Sequence, residues 1–189
     1  MYKQLHQYFL EKTNISEEQF IKIRDYFKVK TLKRNEYLLR MGQTCKYIYF
    51  VNAGCLRFYT INEEGQELTR YFGFENKFAT SFTSLISQKP SPENIQSIIK
   101  SEVLVISRRN FYNLVDTIPE VSYVYRHILE MAYISSQERI YGFQGQSALE
   151  RLKWLLEREP RILSILTNKV IASYLGVTPY TLSRLKAEI

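Results

Sequence analysis

The chain has 189 residues, 45% hydrophobic and 24% charged, with 26 lysines and arginines against 19 acidic residues; it can bury a full core, and its charge of +7 suits a polyanionic partner without requiring one. No stretch approaches the roughly 18 uninterrupted apolar residues of a membrane span, and the start Met1-Tyr2-Lys3-Gln4 lacks the apolar run of a secretory signal, so a cytoplasmic protein without a membrane partner is expected. Cys45, Cys55, His6 and His127 are too few and too scattered for a four-cysteine zinc site or an iron–sulfur cluster, so neither metal nor cofactor is expected and each thiol reads as buried or idle.

Helices come first, then strands, then helices again. Ser16 and Gln19 stand at capping-box spacing and Phe20, Ile23 and Phe27 recur at helical spacing, which predicts an amphipathic helix over 16–27 with a shorter one before it. From 29 to 107, short segments rich in Tyr, Phe, Ile, Val and Thr are separated by turn signals at Met41-Gly42, Asn52-Ala53-Gly54, Asn62-Glu63-Glu64-Gly65 and Phe74-Glu75-Asn76. Many short, evenly spaced strands indicate a β-barrel or jelly roll. Pro90 and Pro92 interrupt the sheet with a polar loop, 95–99 and 103–106 resume the strand pattern, and a short helix over 108–115 closes the region.

Pro119 suits the first turn of a long helix, in which Val121, Val124, Ile128, Met131 and Ser135 alternate at spacings of three and four. This seam serves either pairing between two chains or packing on the protein's own barrel. Gly142 and Gly145 weaken the helix, and Ser147 with Glu150 repeats the capping-box pattern before Leu149, Leu152, Leu155 and Leu156, so a hinge is expected near 142–147.

The strongest signal lies in 168–189. A helix-turn-helix needs a small residue where its helices cross, a residue tolerant of positive φ at the turn, and apolar positions that lock the pair. Ala172 is the small residue, Gly176 ends the first helix, and Ile171, Leu175, Val177, Leu182 and Leu185 supply the shared core. Thr178 caps the second helix and Pro179 occupies its first turn. Its outward positions Pro179, Tyr180, Thr181, Ser183, Arg184 and Lys186, with Thr178 and with Asn168 and Lys169 from the first helix, are the candidate DNA-binding set. Arg184 offers two parallel donors to guanine O6 and N7, while Thr178, Ser183 and Lys186 reach phosphates. A helical hairpin with a solvated basic face is the plainer alternative. From Gln146 onward seven basic residues face four acidic ones, the balance that phosphate attraction needs.

With barrel, long helix and C-terminal helix-turn-helix in that order, the chain resembles the Crp/Fnr family of bacterial transcription regulators. The resemblance is carried by Ile171-Ala172, Gly176-Val177-Thr178, Thr181-Leu182-Ser183-Arg184, and by 47–57, which is similar to the family's glycine-turn hairpin. It implies an α+β fold: N-terminal helices with a cyclic-nucleotide-binding-like jelly roll as sensor (1–117), a dimerisation helix (118–145) and an all-α helix-turn-helix domain (146–189). Implied partners are double-stranded promoter DNA, a second copy of the chain and RNA polymerase.

The chain also departs from the family. Cyclic-AMP-binding members hold the ribose and cyclic phosphate with a Gly-Glu-aliphatic-Ala-Leu segment and an Arg followed by Ser or Thr. Here 78–85 lacks the glutamate and 90–94 lacks the arginine, with Glu93 placed to repel a phosphate, so cyclic AMP is not the expected ligand. The cysteine clusters of oxygen-sensing members are absent. The usual Arg-Glu pair of the recognition helix is replaced by Pro179-Tyr180, and since only Ala187, Glu188 and Ile189 follow Lys186, the C-terminal wing is expected to be missing.

These readings favour a sequence-specific DNA-binding regulator without enzymatic activity. A cupin-type metalloenzyme would need several histidines among the strands, where there are none. A second reading is an effector-sensing barrel whose ligand gates or replaces DNA binding, with Tyr71, Phe78, Ser81, Phe82 and Ser91 as its candidate pocket. The barrel's many aromatics, among them Tyr47, Phe50, Phe58 and Phe72, serve either as plain core or as the lining of such a pocket.

Overall fold

The computed structural model describes residues 1–189. Helices α1 (Lys3–Leu10) and α2 (Glu17–Arg24) open the chain. Ser16 Oγ accepts from the Gln19 amide at 3.2 Å and Gln19 Oε1 accepts from Ser16 N at 3.0 Å, the reciprocal box that its spacing predicts. The helix ends before the predicted Phe27. Tyr26 N and Phe27 N turn back to the carbonyls of Ile23 and Arg24, tightening the last turn, and the chain enters a strand at Lys28 with Phe27 still buried.

Eight strands follow: β1 (Lys28–Leu32), β2 (Tyr37–Leu39), β3 (Tyr47–Ala53), β4 (Cys55–Ile61), β5 (Glu67–Phe74), β6 (Phe78–Ala79), β7 (Asn94–Ser97) and β8 (Ser101–Ser107). They form two four-stranded sheets in the orders β1-β8-β3-β6 and β2-β7-β4-β5, the jelly roll. β3 is buried from Ile48 through Asn52 rather than on alternate residues, because the helices cover the face that an open sheet would show to water. There Phe50 and Phe78 meet at 5.1 Å, and Tyr8 of α1 lies 5.6 and 5.3 Å from them, ring centre to ring centre. Gly54 turns β3 into β4 at φ +96°, and a side chain there would strike Ser101.

A short helix, α3 (Phe82–Ser87), interrupts the strands where strand-like composition gave no sign of it. Its N-terminal Ser81 does not cap it, because the hydroxyl is spent on Glu93. The proline loop follows, and Thr44 and Pro90 form an isolated antiparallel bridge across it. Ser107 caps α4 (Arg108–Thr117) through Asn110 N at 3.2 Å. α5 (Pro119–Gly145) runs unbroken through Gly142, and the chain leaves the helix at Gln146, inside the predicted hinge.

Ser147 and Glu150 form the second capping box at the start of α6 (Ala148–Arg158), followed by α7 (Ile162–Ile165), α8 (Asn168–Leu175), α9 (Pro179–Leu185) and a 3₁₀ turn at Lys186–Glu188. The chain divides into two compact units, 1–58 with 72–130 and 59–71 with 131–189. The first has a core of strand residues such as Phe50, Leu56, Ile95 and Leu104; the second is built on Leu152, Ile162, Ile171 and Leu182. No helix is long and apolar enough to cross a membrane.

Candidate nucleic-acid interface

α8 ends at Leu175, and Gly176 enters the left-handed region at φ +70°. Val177 N then donates back to the Ala172 carbonyl at 3.1 Å, closing the Schellman-type turn that aims the chain into α9. Ile171, Ala172, Leu175 and Leu182 are buried between the two helices as their spacing predicts, whereas Val177 and Leu185 are half-buried and Tyr174, not anticipated, joins the core. Thr178 Oγ1 caps α9 by accepting from Thr181 N at 3.1 Å, with Pro179 in the first turn.

The predicted DNA-binding residues lie together on this motif. Asn168, Lys169, Thr178, Pro179, Tyr180, Ser183 and Arg184 are exposed, and Thr181 and Lys186 half-exposed. Several polar ends are already engaged: Thr178 Oγ1 and Thr181 Oγ1 are 2.9 Å apart, Ser183 Oγ donates to the Pro179 carbonyl at 3.0 Å, and Lys186 Nζ donates to Asn168 Oδ1 at 3.3 Å.

Residues that sequence spacing missed fix this motif in place. Arg139 Nη2 donates to the Tyr174 carbonyl at 3.0 Å and to the Thr69 carbonyl at 2.9 Å, and Arg151 donates to the Leu175 carbonyl from Nε at 3.2 Å and Nη2 at 3.1 Å. Two guanidinium groups thus satisfy the last carbonyls of α8, where the helix dipole favours positive charge. Phe143 lies 4.7 Å from each of them, and Arg139 also stands 4.3 Å over the Tyr174 ring. Burial pulls the Arg139 guanidinium below its ordinary range, and Tyr174 opposes that pull. Thr69 and Ser173 join through their hydroxyls at 2.5 Å, tying the start of β5 to α8. These hydrogen-bond partners are 24 to 104 residues apart along the chain, beyond the reach of any local pattern.

In the barrel, the predicted pocket residues separate. Ser81 and Ser91 come together at 3.2 Å, and both engage Glu93: Ser81 Oγ donates to Glu93 Oε1 at 2.7 Å and Ser91 Oγ to the Glu93 carbonyl at 2.8 Å. Glu93 is only 5% exposed. Phe78, in contrast, is not a pocket residue: its ring packs among Tyr8, Phe50 and Phe111 beneath the helices. Phe82 is half-buried on α3, and Tyr71 is half-buried on β5 in the other compact unit.

The predicted pairing seam on α5 also needs correction. Val121 and Val124 are 1% and 0% exposed, sealed in the protein's own core, so they offer nothing to a second chain. Ile128 and Ser135 are half-buried, and Met131 is exposed. Beyond it the exposed large apolar side chains are Tyr133, Ile134, Ile140, Tyr141 and Phe143, of which Ile134 with Tyr141 and Tyr133 with Ile140 form two rows of heptad spacing.

Residues 29–117 match the cyclic nucleotide-binding domain family. The chain is 25% identical over 169 residues to the anaerobic regulatory protein of Haemophilus influenzae, covering 82% of this chain and 64% of that protein. It is 25% identical over 167 residues to the fumarate and nitrate reduction regulatory protein of Yersinia pestis, covering 82% and 66%. It thus spans slightly under two thirds of the length of these curated relatives. Among solved structures, FixK2 from Bradyrhizobium japonicum superposes with a TM-score of 0.76 at 18% identity, over 86% of this chain and 83% of that one. A chain from Eubacterium rectale assigned to the Crp/Fnr family gives 0.74 at 18% identity, over 96% and 87%. The chain is thus similar in sequence to the anaerobic and fumarate–nitrate regulators along most of its length, and similar in fold, along nearly all of it, to a chain of the Crp/Fnr family.

Proposed function

We propose that the protein is a sequence-specific DNA-binding transcriptional regulator that acts as a homodimer on a two-fold symmetric promoter site. The observation that carries this reading is the exposed, capped face of α9, with Tyr180 and Arg184 pointing outward from a helix whose other side is locked into the core by Leu182. In helix-turn-helix proteins the second helix enters the major groove and its outward side chains meet base edges. The seven basic residues from Gln146 onward supply the sequence-independent attraction to phosphate that brings the helix there. In this reading 1–117 is the sensor domain, 118–145 the pairing helix and 146–189 the DNA-binding domain. The pairing surface is the exposed apolar stretch from Met131 to Tyr141. RNA polymerase is the further partner that promoter binding implies.

A ligand-gated barrel is the second reading, favoured by the buried Ser81–Ser91–Glu93 cluster. A carboxylate in that place disfavours a cyclic phosphate, so the effector is not cyclic AMP. Selection of bound duplexes from a random DNA pool tests the function. Enrichment of a palindromic site supports it; a pool that stays random at moderate salt overturns it and leaves the ligand-binding barrel.

A further inference from the structure

The outward side chains of α9 differ in what their polar groups are doing. The hydroxyls of Thr178 and Thr181 are joined to each other, the Ser183 hydroxyl is folded back on the Pro179 carbonyl, and the Lys186 ammonium reaches Asn168. Tyr180 and Arg184 alone among these polar side chains have no hydrogen bond or ion pair within the chain. Tyr180 is 74% exposed, more than any other large apolar side chain of its compact unit.

The two residues are four apart, so they stand on one face of the helix, about 6 Å apart along its axis. Base pairs repeat every 3.4 Å or so, which sets the two side chains about two base pairs apart when the helix lies along the groove. The guanidinium fork of Arg184 fits guanine O6 and N7. A tyrosine ring offers a different surface: it has no carboxylate to accept from cytosine N4, but its apolar edge fits the 5-methyl group that only thymine carries into the major groove. Its hydroxyl is left to reach a phosphate.

Resting on the DNA-reading function above, we infer that Tyr180 is a specificity-determining residue that selects a thymine through its methyl group, about two base pairs from the guanine taken by Arg184. Because Tyr180 projects into water and holds nothing in the core, changing it leaves the fold intact, and the effect is confined to the choice of base.

The test uses the full chain and the duplex enriched from a random pool. Each thymine is replaced in turn by deoxyuridine, which removes only the methyl group. Wild-type affinity is expected to fall about fourfold, the worth of one buried methyl, at one position in each half-site and to hold elsewhere. Tyr180→Ala is expected to bind the thymine and uracil duplexes equally while keeping its preference for guanine and its salt slope. Tyr180→Glu is expected to enrich a different base pair at that position. An enriched site at which wild type is indifferent to uracil everywhere, or a Tyr180→Ala variant with undiminished sensitivity to uracil, overturns the role of Tyr180 alone. A pool that yields no enriched site overturns this inference together with the DNA-reading function.

Discussion

Gly176 stands at φ +70° with Phe143 Cε1 2.7 Å from the point a Cβ would occupy, so backbone conformation and close packing both exclude a side chain there. Gly176→Ala is expected to destabilise the C-terminal unit by about 1–2 kcal/mol, the cost of the left-handed region for a residue with a Cβ. Trp154 is the chain's one tryptophan and lies on α6 in that unit, so its fluorescence during denaturant unfolding reads the loss. An unchanged midpoint would show that the turn tolerates a side chain. At the reading face, Arg184→Ala is expected to cost about 1–3 kcal/mol on the preferred duplex and much less on a scrambled one. Lys186→Ala should instead weaken both duplexes alike and lower the salt slope by about one, since its exposed contact with Asn168 is easily exchanged for a phosphate. Titrations on both duplexes at several salt concentrations separate the two roles; equal losses for Arg184→Ala would reduce it to a phosphate contact.

α5 changes its surroundings along its length. Its 27 residues span about 40 Å. The part holding Val121 and Val124 is buried in the protein's own core, while the part beyond Met131 exposes Ile134, Ile140 and Tyr141. A regular seam of threes and fours is the same signal in both parts, because a helix buries a stripe whether the covering surface is its own chain or another. Ile134→Asp is expected to give monomers in sedimentation velocity with the protomer's unfolding midpoint preserved, since the charge enters only the proposed pairing surface. Val124→Asp is expected to cost the protomer more than about 3 kcal/mol, the penalty of an unpartnered buried charge. An Ile134→Asp variant with the mass of a dimer would move the pairing surface elsewhere.

For the whole molecule, the proposed ligand-gated barrel carries a prediction of its own. The family whose model matches 29–117 is described as a cyclic nucleotide-binding domain, yet here Glu93 is buried and accepts from Ser81 at 2.7 Å. A cyclic phosphate at that point would face a carboxylate, and 90–94 offers it no arginine. Millimolar cyclic AMP or cyclic GMP is therefore expected to stabilise the protein by less than about 0.4 kcal/mol, the limit for a ligand whose Kd exceeds its concentration. Thermal melts read this directly, and saturable calorimetric binding at micromolar concentration would refute it. The division into two compact units assigns residues 59–71, the end of β4, the turn after it and the start of β5, to the same unit as the helix-turn-helix. Arg139 and Ser173 hold that segment at Thr69 of β5.

Contacts between near neighbours in the chain were legible from the sequence. Both capping boxes, the Gly176 turn, the Thr178 cap, the Pro179 start and the apolar spacing of α8 and α9 depend on residues a few positions apart, so their chemistry is complete in the local sequence. Even, turn-punctuated strands likewise specified a jelly roll. What covers a surface was not legible. Val124 went to the protein's own core, Phe78 to the aromatic cluster under α1 and α4 rather than to a pocket, and Ser81 to Glu93 rather than to the start of α3. Arg139 reached carbonyls 35 and 70 residues away. In each case a side chain's periodicity announces that it will be buried or bonded, but the partner is chosen by the free energy of bringing distant segments together, and only the folded chain decides that.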